Sequence, residues 1–247
     1  MSINSPEELL RLRSAGMVVR LMLAAMKAAV RPGITTAELD EIGGRVMRRH
    51  GARSAPALVY QFPGVNCISV NDEAVHGIPG PRKLQDGDLV KLDVTVEKDG
   101  FMADAAITVP VGNIADNSRR LIECAERAFQ KAMLVARAGY PVLEIGRAVE
   151  REVRRSGFSV IRDLTGHGIG RTIHEEPRVP NYADPQSREI LSEGLVITVE
   201  PIIAAGSGRA VVARDGWTVR TADRKPSAHY EHTLVITKSE PILLTAA

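Results

Sequence analysis

Five side chains that could bind metal ions are each embedded in a short apolar or glycine-bounded segment of this 247-residue chain. Four are carboxylates and one is an imidazole: Asp93, Asp104, His167, Glu200 and Glu231. An isolated carboxylate in apolar, strand-like sequence is costly to bury, because its charge loses its hydration. Two divalent cations would balance the four negative charges and remove that cost. These residue types therefore predict a dinuclear metal site.

The two aspartates lie on either side of the turn Glu97-Lys98-Asp99-Gly100, which predicts a β-hairpin. In a hairpin the aspartates would lie nearly opposite one another and could face the same side. Alternation would place Lys91, Asp93 and Thr95 on one face. A hairpin with a solvated polar face would explain Asp93 and Asp104 equally well.

The two glutamates are harder to explain as surface residues. Glu200 lies between the apolar segments LVITV and PII, and Glu231 is followed closely by Leu234-Val235-Ile236. A glutamate in such a strand is seldom fully buried unless it is paired or binds a metal. His167 lies between two glycines, and such a histidine is more often a packing or surface residue, although His174 strengthens the metal interpretation. One nitrogen among hard oxygen donors favours Mn, Fe, Co or Zn over Ca.

The composition is that of an ordinary soluble globular protein, with 44% hydrophobic and 25% charged residues. The net charge is only +2 and the basic residues are spread along the chain, which does not favour nucleic-acid binding.

Cys67 and Cys124 form no C-x-x-C pair, which favours a reducing compartment over a disulfide framework or a zinc finger. Arg20 and Lys27 interrupt the apolar stretch 17–30, so it predicts a packed helix rather than a signal peptide or a membrane span. We therefore expect a cytoplasmic protein that binds neither DNA nor membranes.

The elements that must position the candidate ligands follow a repeated order. Capping boxes and glycine or proline breaks predict helices over 6–30, 36–49, 116–138 and 142–155, and a strand-rich region over about 57–111. A shift of 106 positions superimposes Gly33 on Gly139 and Gly51 on Gly157, and the helix breaks coincide as well. Such an internal duplication predicts one catalytic domain with halves of about 1–112 and 113–247. Two helices followed by antiparallel strands in each half indicate an α+β fold, with a site where the two strand sets meet.

The segments that carry these residues resemble those of type I methionine aminopeptidases. In order and at similar intervals they are VNDEAVHGIPG, LDVTVEKDGFMAD, GHGIGRTIHEEP, ITVEP and HYEHTLVIT. The resemblance extends from the first helix to about Ile236. It implies the pita-bread fold, a pseudo-two-fold antiparallel sheet covered by helices, with two divalent metal ions in its central cleft.

The resemblance also implies a role for each candidate ligand. Asp93 would hold one metal, His167 and Glu200 the other, and Asp104 and Glu231 would bridge both. The implied reaction is removal of the N-terminal methionine from a polypeptide by a water held between the two metals. The free α-amine of the substrate would bind a metal, which would restrict the enzyme to chain ends.

Three residues would act on the substrate itself. Glu200 would be the general base, His174 would stabilise charge on the tetrahedral intermediate, and His76 would hydrogen-bond near the scissile amide nitrogen. Without the resemblance, each histidine would be interpreted as an ordinary loop or core residue.

Selectivity for methionine needs a snug apolar pocket, since one methylene there is worth only ~1–3 kcal/mol. The matching positions are Phe62, Cys67, Ile173 and Trp217, with Val59 nearby. Ordinary core packing would explain each of them singly. Ile173 and Val59 stand where larger aromatic residues are usual in the family, and Phe62 stands where tyrosine is frequent. Ala105 follows Asp104 where a hydroxyl residue is typical, which removes a possible hydrogen bond. We expect aminopeptidase activity, with its strictness for methionine left open.

Three other classes of protein have to be weighed. An Xaa-Pro peptidase of the same fold would usually carry a sizeable extra N-terminal domain, and only about four residues precede the first helix here. A weakly active or inactive relative that binds peptides or RNA should have lost some ligands, whereas all five are present. A structural protein with simple ion pairs would not explain the order and spacing. We expect a monomer that acts on the N-termini of nascent polypeptides, with transient ribosome contact.

Overall fold

A computed structural model describes residues 1–246 as five helices and fifteen strands. The helices are α1 (Pro6–Ala29), α2 (Thr36–Arg49), α3 (Ala55–Tyr60), α4 (Asp116–Met133) and α5 (Leu143–Arg155). The strands are β1 (Arg53–Ser54), β2 (Cys67–Val70), β3 (Glu73–Val75), β4 (Leu89–Lys98), β5 (Phe101–Pro110), β6 (Ser159–Val160), β7 (Thr165–Gly168), β8 (Glu175–Pro180), β9 (Val196–Val199), β10 (Ile202–Ala204), β11 (Ala210–Val212), β12 (Val219–Thr221), β13 (Ser227–His229), β14 (Glu231–Val235) and β15 (Ile242–Leu243). Among the described helices, none combines the length and the apolar character that crossing a bilayer requires.

The largest sheet has nine strands, in the spatial order β1-β4-β5-β14-β9-β7-β8, with β2 added to β4 and β15 to β14. Its strand pairs are antiparallel. The groups β2-β4-β5 and β14-β9-β7 therefore lie side by side and meet where β5 pairs with β14. This arrangement brings residues near position 105 next to residues near position 232.

Each group of strands has its own helical cover and its own apolar core. Helices α1 and α2 pack together, and α1 lies on β4 and β5, with Met22, Met26 and Leu92 in the shared cluster. Helices α4 and α5 pack together in a second cluster that includes Phe129 and Leu234. The predicted α+β arrangement of helices and antiparallel strands is confirmed. The division into halves of about 1–112 and 113–247 stays a prediction, although the two cores are consistent with it.

The predicted helix starts agree with the structure in most respects. Ser5 caps α1, since its hydroxyl accepts from the Glu8 amide, but the Glu8 carboxylate accepts from the Asn4 amide rather than from Ser5. The capping box of α1 is therefore only half formed. The predicted box between Thr35 and Glu38 is complete at α2.

Two predicted boundaries are wrong. The strand-rich region does not begin near position 57, because Ser54 caps the short helix α3 and a proline occupies its first turn. Helix α4 ends at Met133 instead of continuing to Ala138, and turns fill the interval.

Candidate metal centre

The predicted hairpin is formed by β4 and β5. Asp99 and Gly100 connect the strands, and both have positive φ, as a type I′ turn requires. In the register, Asp93 pairs with Ala106 and Thr95 pairs with Asp104. The two aspartates are therefore diagonal neighbours on one face rather than direct partners.

A first row of paired side chains crosses four strands on this face. Cys67 on β2 pairs with Asp93, Asp93 with Ala106, and Ala106 with Glu231 on β14. Glu200 follows the last residue of β9, one position beyond the final pair of the β9–β14 ladder. Directly paired residues project to the same side of a sheet. Three of the candidate ligands therefore come from one row.

A second, adjacent row supplies the other two. Thr95 pairs with Asp104, whose backbone N–H donates to the Thr233 hydroxyl at 2.9 Å. Thr233 pairs with Thr198, and the Thr198 hydroxyl accepts from the His167 backbone N–H at 3.1 Å. The threonine hydroxyls fix the backbone on either side of the centre. All five candidate ligands thus converge on one face from strands far apart in the chain.

A cavity of about 680 Å³ lies over these two rows, and all five candidate ligands line it. Asp104, His167, Glu200 and Glu231 are buried, with Glu231 only 2% exposed, and Asp93 is half-buried. The polar face of the hairpin therefore lines a cavity and is not simply solvated.

Burial and mutual repulsion dominate the electrostatics of the four carboxylates. Burial, followed by the charge of Asp104, raises the pKa of Asp93, Glu200 and Glu231 well above its ordinary value. Burial also raises the pKa of Asp104, to about 7. Burial acts in the opposite direction on an imidazole and lowers the pKa of His167 to about 4, so this ring is neutral at pH 7. Four acids that resist ionisation beside a neutral imidazole form a site in need of positive charge.

The residues present fit a divalent cation. Asp104 Oδ1 and Glu231 Oε1 are buried and have no hydrogen-bond partner within the described part of the chain. One donor atom from each of Asp104, His167 and Glu231 lies within 4.8 Å of the other two. His167 Nδ1 is 2.9 Å from the Gly168 carbonyl, which can only accept, so Nδ1 carries the proton and Nε2 presents a lone pair. Oxygen and nitrogen donors of this kind suit Mn, Fe, Co or Zn.

The two histidines predicted to contact substrate also line the cavity. His76 follows β3 with a φ of 57°, and a Cβ on the next residue, Gly77, would lie 2.4 Å from the Ile68 carbonyl oxygen. A side chain at position 77 would therefore displace the backbone that presents His76. The His174 ring lies beside that of His167, with 4.3 Å between ring centroids.

The predicted apolar pocket forms one wall of the cavity. Phe62 packs edge-on against Trp217, with ring centroids 5.3 Å apart, and Cys67 and Ile173 are buried and line the same cavity. Val59 does not line the cavity; it lies on the outer side of α3 and is 38% exposed. The four predicted pocket residues therefore line one cavity, and Val59 does not.

Tyr60 and His229 are among the cavity residues that sequence reasoning missed. The Tyr60 hydroxyl lies 2.5 Å from His174 Nδ1, a contact that depends on the unpredicted helix α3. His229 lies among the carboxylates, with Nε2 3.4 Å from Glu231 Oε2. A signal for His229 did exist, since it precedes Glu231 by two residues and alternation puts such neighbours on one face.

Comparisons with known proteins agree with this geometry. Residues 11–238 match the model of metallopeptidase family M24. Methionine aminopeptidase 2 of Bacillus subtilis is 47% identical over 99% of both chains. The solved structure of methionine aminopeptidase from Rickettsia prowazekii superposes with a TM-score of 0.95 at 36% identity, covering 100% of each chain. A prolidase from Pyrococcus furiosus shares the fold at a TM-score of 0.80 and 22% identity, but only 65% of that chain is covered.

The chain belongs to metallopeptidase family M24. The relatives that it matches over nearly their whole length are methionine aminopeptidases. The likeness to prolidase is limited to the pita-bread fold. The comparisons therefore favour the methionine aminopeptidases over the Xaa-Pro peptidases.

Proposed function

We propose that this protein is a metal-dependent aminopeptidase that removes the N-terminal methionine from polypeptides. The observation that carries the proposal is the convergence of four carboxylates and one neutral imidazole beneath a cavity with an apolar wall. Relatives of similar length carry the name of this activity. The cavity volume of about 680 Å³ suits a side chain together with the adjoining peptide backbone.

Two divalent cations, chosen from Co, Mn, Fe and Zn, are the cofactors that we propose. Asp93 would hold one and His167 with Glu200 the other, while Asp104 and Glu231 would lie between them. When bound, such a pair lowers the pKa of a water and polarises the scissile carbonyl.

The chain's own groups supply the remaining chemistry. The Thr198 hydroxyl donates to Glu200 Oε1 at 2.9 Å, which orients the carboxylate that we propose as the general base. The Tyr60 hydroxyl can donate to His174 Nδ1, which leaves Nε2–H as the ring's only donor for charge that develops on the substrate oxygen. His76, which also lines the cavity, would hydrogen-bond near the scissile amide nitrogen.

The apolar wall would receive the methionine side chain. Phe62 and Trp217 hold one another in a fixed edge-on geometry, and Ile173 and Cys67 complete the surface. A long unbranched side chain such as that of methionine can follow an irregular apolar surface, because its three rotatable bonds let it adapt. We also propose that the protein is a cytoplasmic monomer that meets its substrates as they leave the ribosome.

The test is reconstitution of the metal-free protein with each cation singly, followed by measurement of methionine released from Met-Ala-Ser. Peptides that begin with leucine and norleucine test selectivity, and equal turnover of all three would defeat the methionine assignment. His174→Ala should lower turnover by a factor of ~100 or more. His50→Ala is the matched control, since His50 is exposed and lies outside the cavity. An unchanged rate in His174→Ala would remove the proposed role of that ring.

A further inference from the structure

His229 is a buried imidazole that lines the cavity. It ends β13 and pairs with Ile202 of β10, and its backbone N–H donates to the Thr108 hydroxyl at 2.8 Å. The side chain is 2% exposed. Neither ring nitrogen has a hydrogen-bond partner among residues 1–246. A buried polar ring without a hydrogen bond is destabilising, so its position calls for a ligand.

The His229 ring lies near one carboxylate oxygen of Glu200, and the His167 ring lies near the other. His167 Nε2 is 3.5 Å from Glu200 Oε1, and His229 Nε2 is 3.8 Å from Glu200 Oε2. His229 Nε2 is also 3.4 Å from Glu231 Oε2. Glu200 therefore lies between two imidazoles, with one oxygen turned toward each.

These separations suit donors that share a cation. Two ligand atoms that each lie ~2.1 Å from one ion, at a tetrahedral angle, are ~3.4 Å apart. Donor atoms of Glu200, His229 and Glu231 all lie within 4.8 Å of one another, the same condition that Asp104, His167 and Glu231 meet. The distances that identify His167 as a candidate ligand therefore apply to His229 as well.

We propose that His229 is a nitrogen ligand for the cation held by Glu200 and Glu231, so that this centre has two imidazole donors instead of one. The inference rests on the proposed metal-dependent function and adds to the five ligands predicted from the sequence. A second nitrogen donor shifts preference toward Zn and Co and away from Mn, because imidazole suits the later, softer ions.

Pulsed electron paramagnetic resonance of the metal-free protein loaded with one equivalent of Cu²⁺ tests the proposal, because remote imidazole nitrogens can be counted. Wild type should show two imidazoles, and His229→Gln and His167→Gln should each show one. His232→Gln is the matched control: this buried ring bonds to Thr245 and Tyr230 and should leave the count unchanged.

One imidazole in wild type would overturn the proposal, whether or not the variants fold, and would leave His229 as a mere neighbour of the carboxylates. Competition between Mn²⁺ and Zn²⁺ gives an independent measure. The preference for Zn²⁺ should fall about tenfold or more in His229→Gln, and an unchanged preference would also overturn the proposal. If wild type binds Cu²⁺ through one imidazole and still releases methionine, the inference fails while the proposed function stands.

Discussion

Loading of the metal-free protein with a divalent cation should expel protons from the carboxylate cluster. Burial raises the pKa of Asp104 to about 7, and the pKa values of the other three carboxyls lie well above their ordinary range. A cation can bind only the ionised oxygens, so binding must displace whatever protons these groups retain. His167, with a pKa of about 4, is already neutral and contributes none at pH 7.

The size of the effect follows from Asp104. A carboxyl with a pKa of about 7 is about 0.9 protonated at pH 6, about 0.5 at pH 7 and about 0.1 at pH 8. Asp104 alone therefore contributes about half a proton at pH 7, and the other three carboxyls add to it with the same sign. Binding that releases protons becomes stronger as pH rises, so the affinity for the cation should increase with pH. Each proton released corresponds to about a tenfold gain in affinity per pH unit.

Titration calorimetry with Mn²⁺ in two buffers of different ionisation enthalpy measures the number of protons directly. The release should decline from pH 6 to pH 8, and Asp104→Asn should reduce it while weakening binding. Asp99→Asn is the matched control, because Asp99 is an exposed residue in the turn of the same hairpin and asparagine tolerates its positive φ. Identical heats in the two buffers at pH 7 would refute the reasoning, since the cluster would then be ionised before the metal arrives.

Two further substitutions test how backbone and hydroxyl groups hold the site. A Cβ at Gly168 would lie 2.2 Å from the Glu176 carbonyl oxygen, so Gly168→Ala should displace β7 next to the candidate ligand and lower bound metal by more than about tenfold, as measured by mass spectrometry. Gly80→Ala, where the added Cβ meets no atom within 4 Å, is the control, and equal metal content in the two variants would contradict the argument. Tyr60→Phe removes the hydroxyl at His174 Nδ1 and should lower kcat about 3- to 10-fold with little change in KM, corresponding to one hydrogen bond. A loss confined to KM in steady-state kinetics would instead mean that Tyr60 only binds substrate.

Local signals in the sequence were sufficient wherever short-range chemistry decides the structure. The turn at Asp99 and Gly100 defines the hairpin, and the box of Thr35 with Glu38 defines the start of α2. Helix α3 was missed although Ser54 and the following proline are a start signal, because six residues give too short a window for periodicity.

Long-range pairing was beyond the reach of the sequence. The contact of Tyr60 with His174 joins residues 114 positions apart, and nothing local to either residue indicates it. Alternation indicates that His229 shares a face with Glu231, but only the position of β13 beside β10 brings the ring to Glu200. The resemblance to a known family supported the five candidate ligands and gave no reason to consider a histidine outside its pattern.

The register of β5 against β14 determines whether the centre exists at all. Ala106 opposes Glu231, and its methyl group leaves the space between Asp93 and Glu231 open. Because successive side chains alternate between faces, a slip of one residue would turn Glu231 into the helical core and bring His232 to the cavity. A glutamate turned into that core could not reach a cation, and its burial would cost several kcal/mol, so a bound cation disfavours the wrong register. A cation shared by Asp104 and Glu231 would join these same two strands, and we infer that metal binding and the pairing of β5 with β14 stabilise one another.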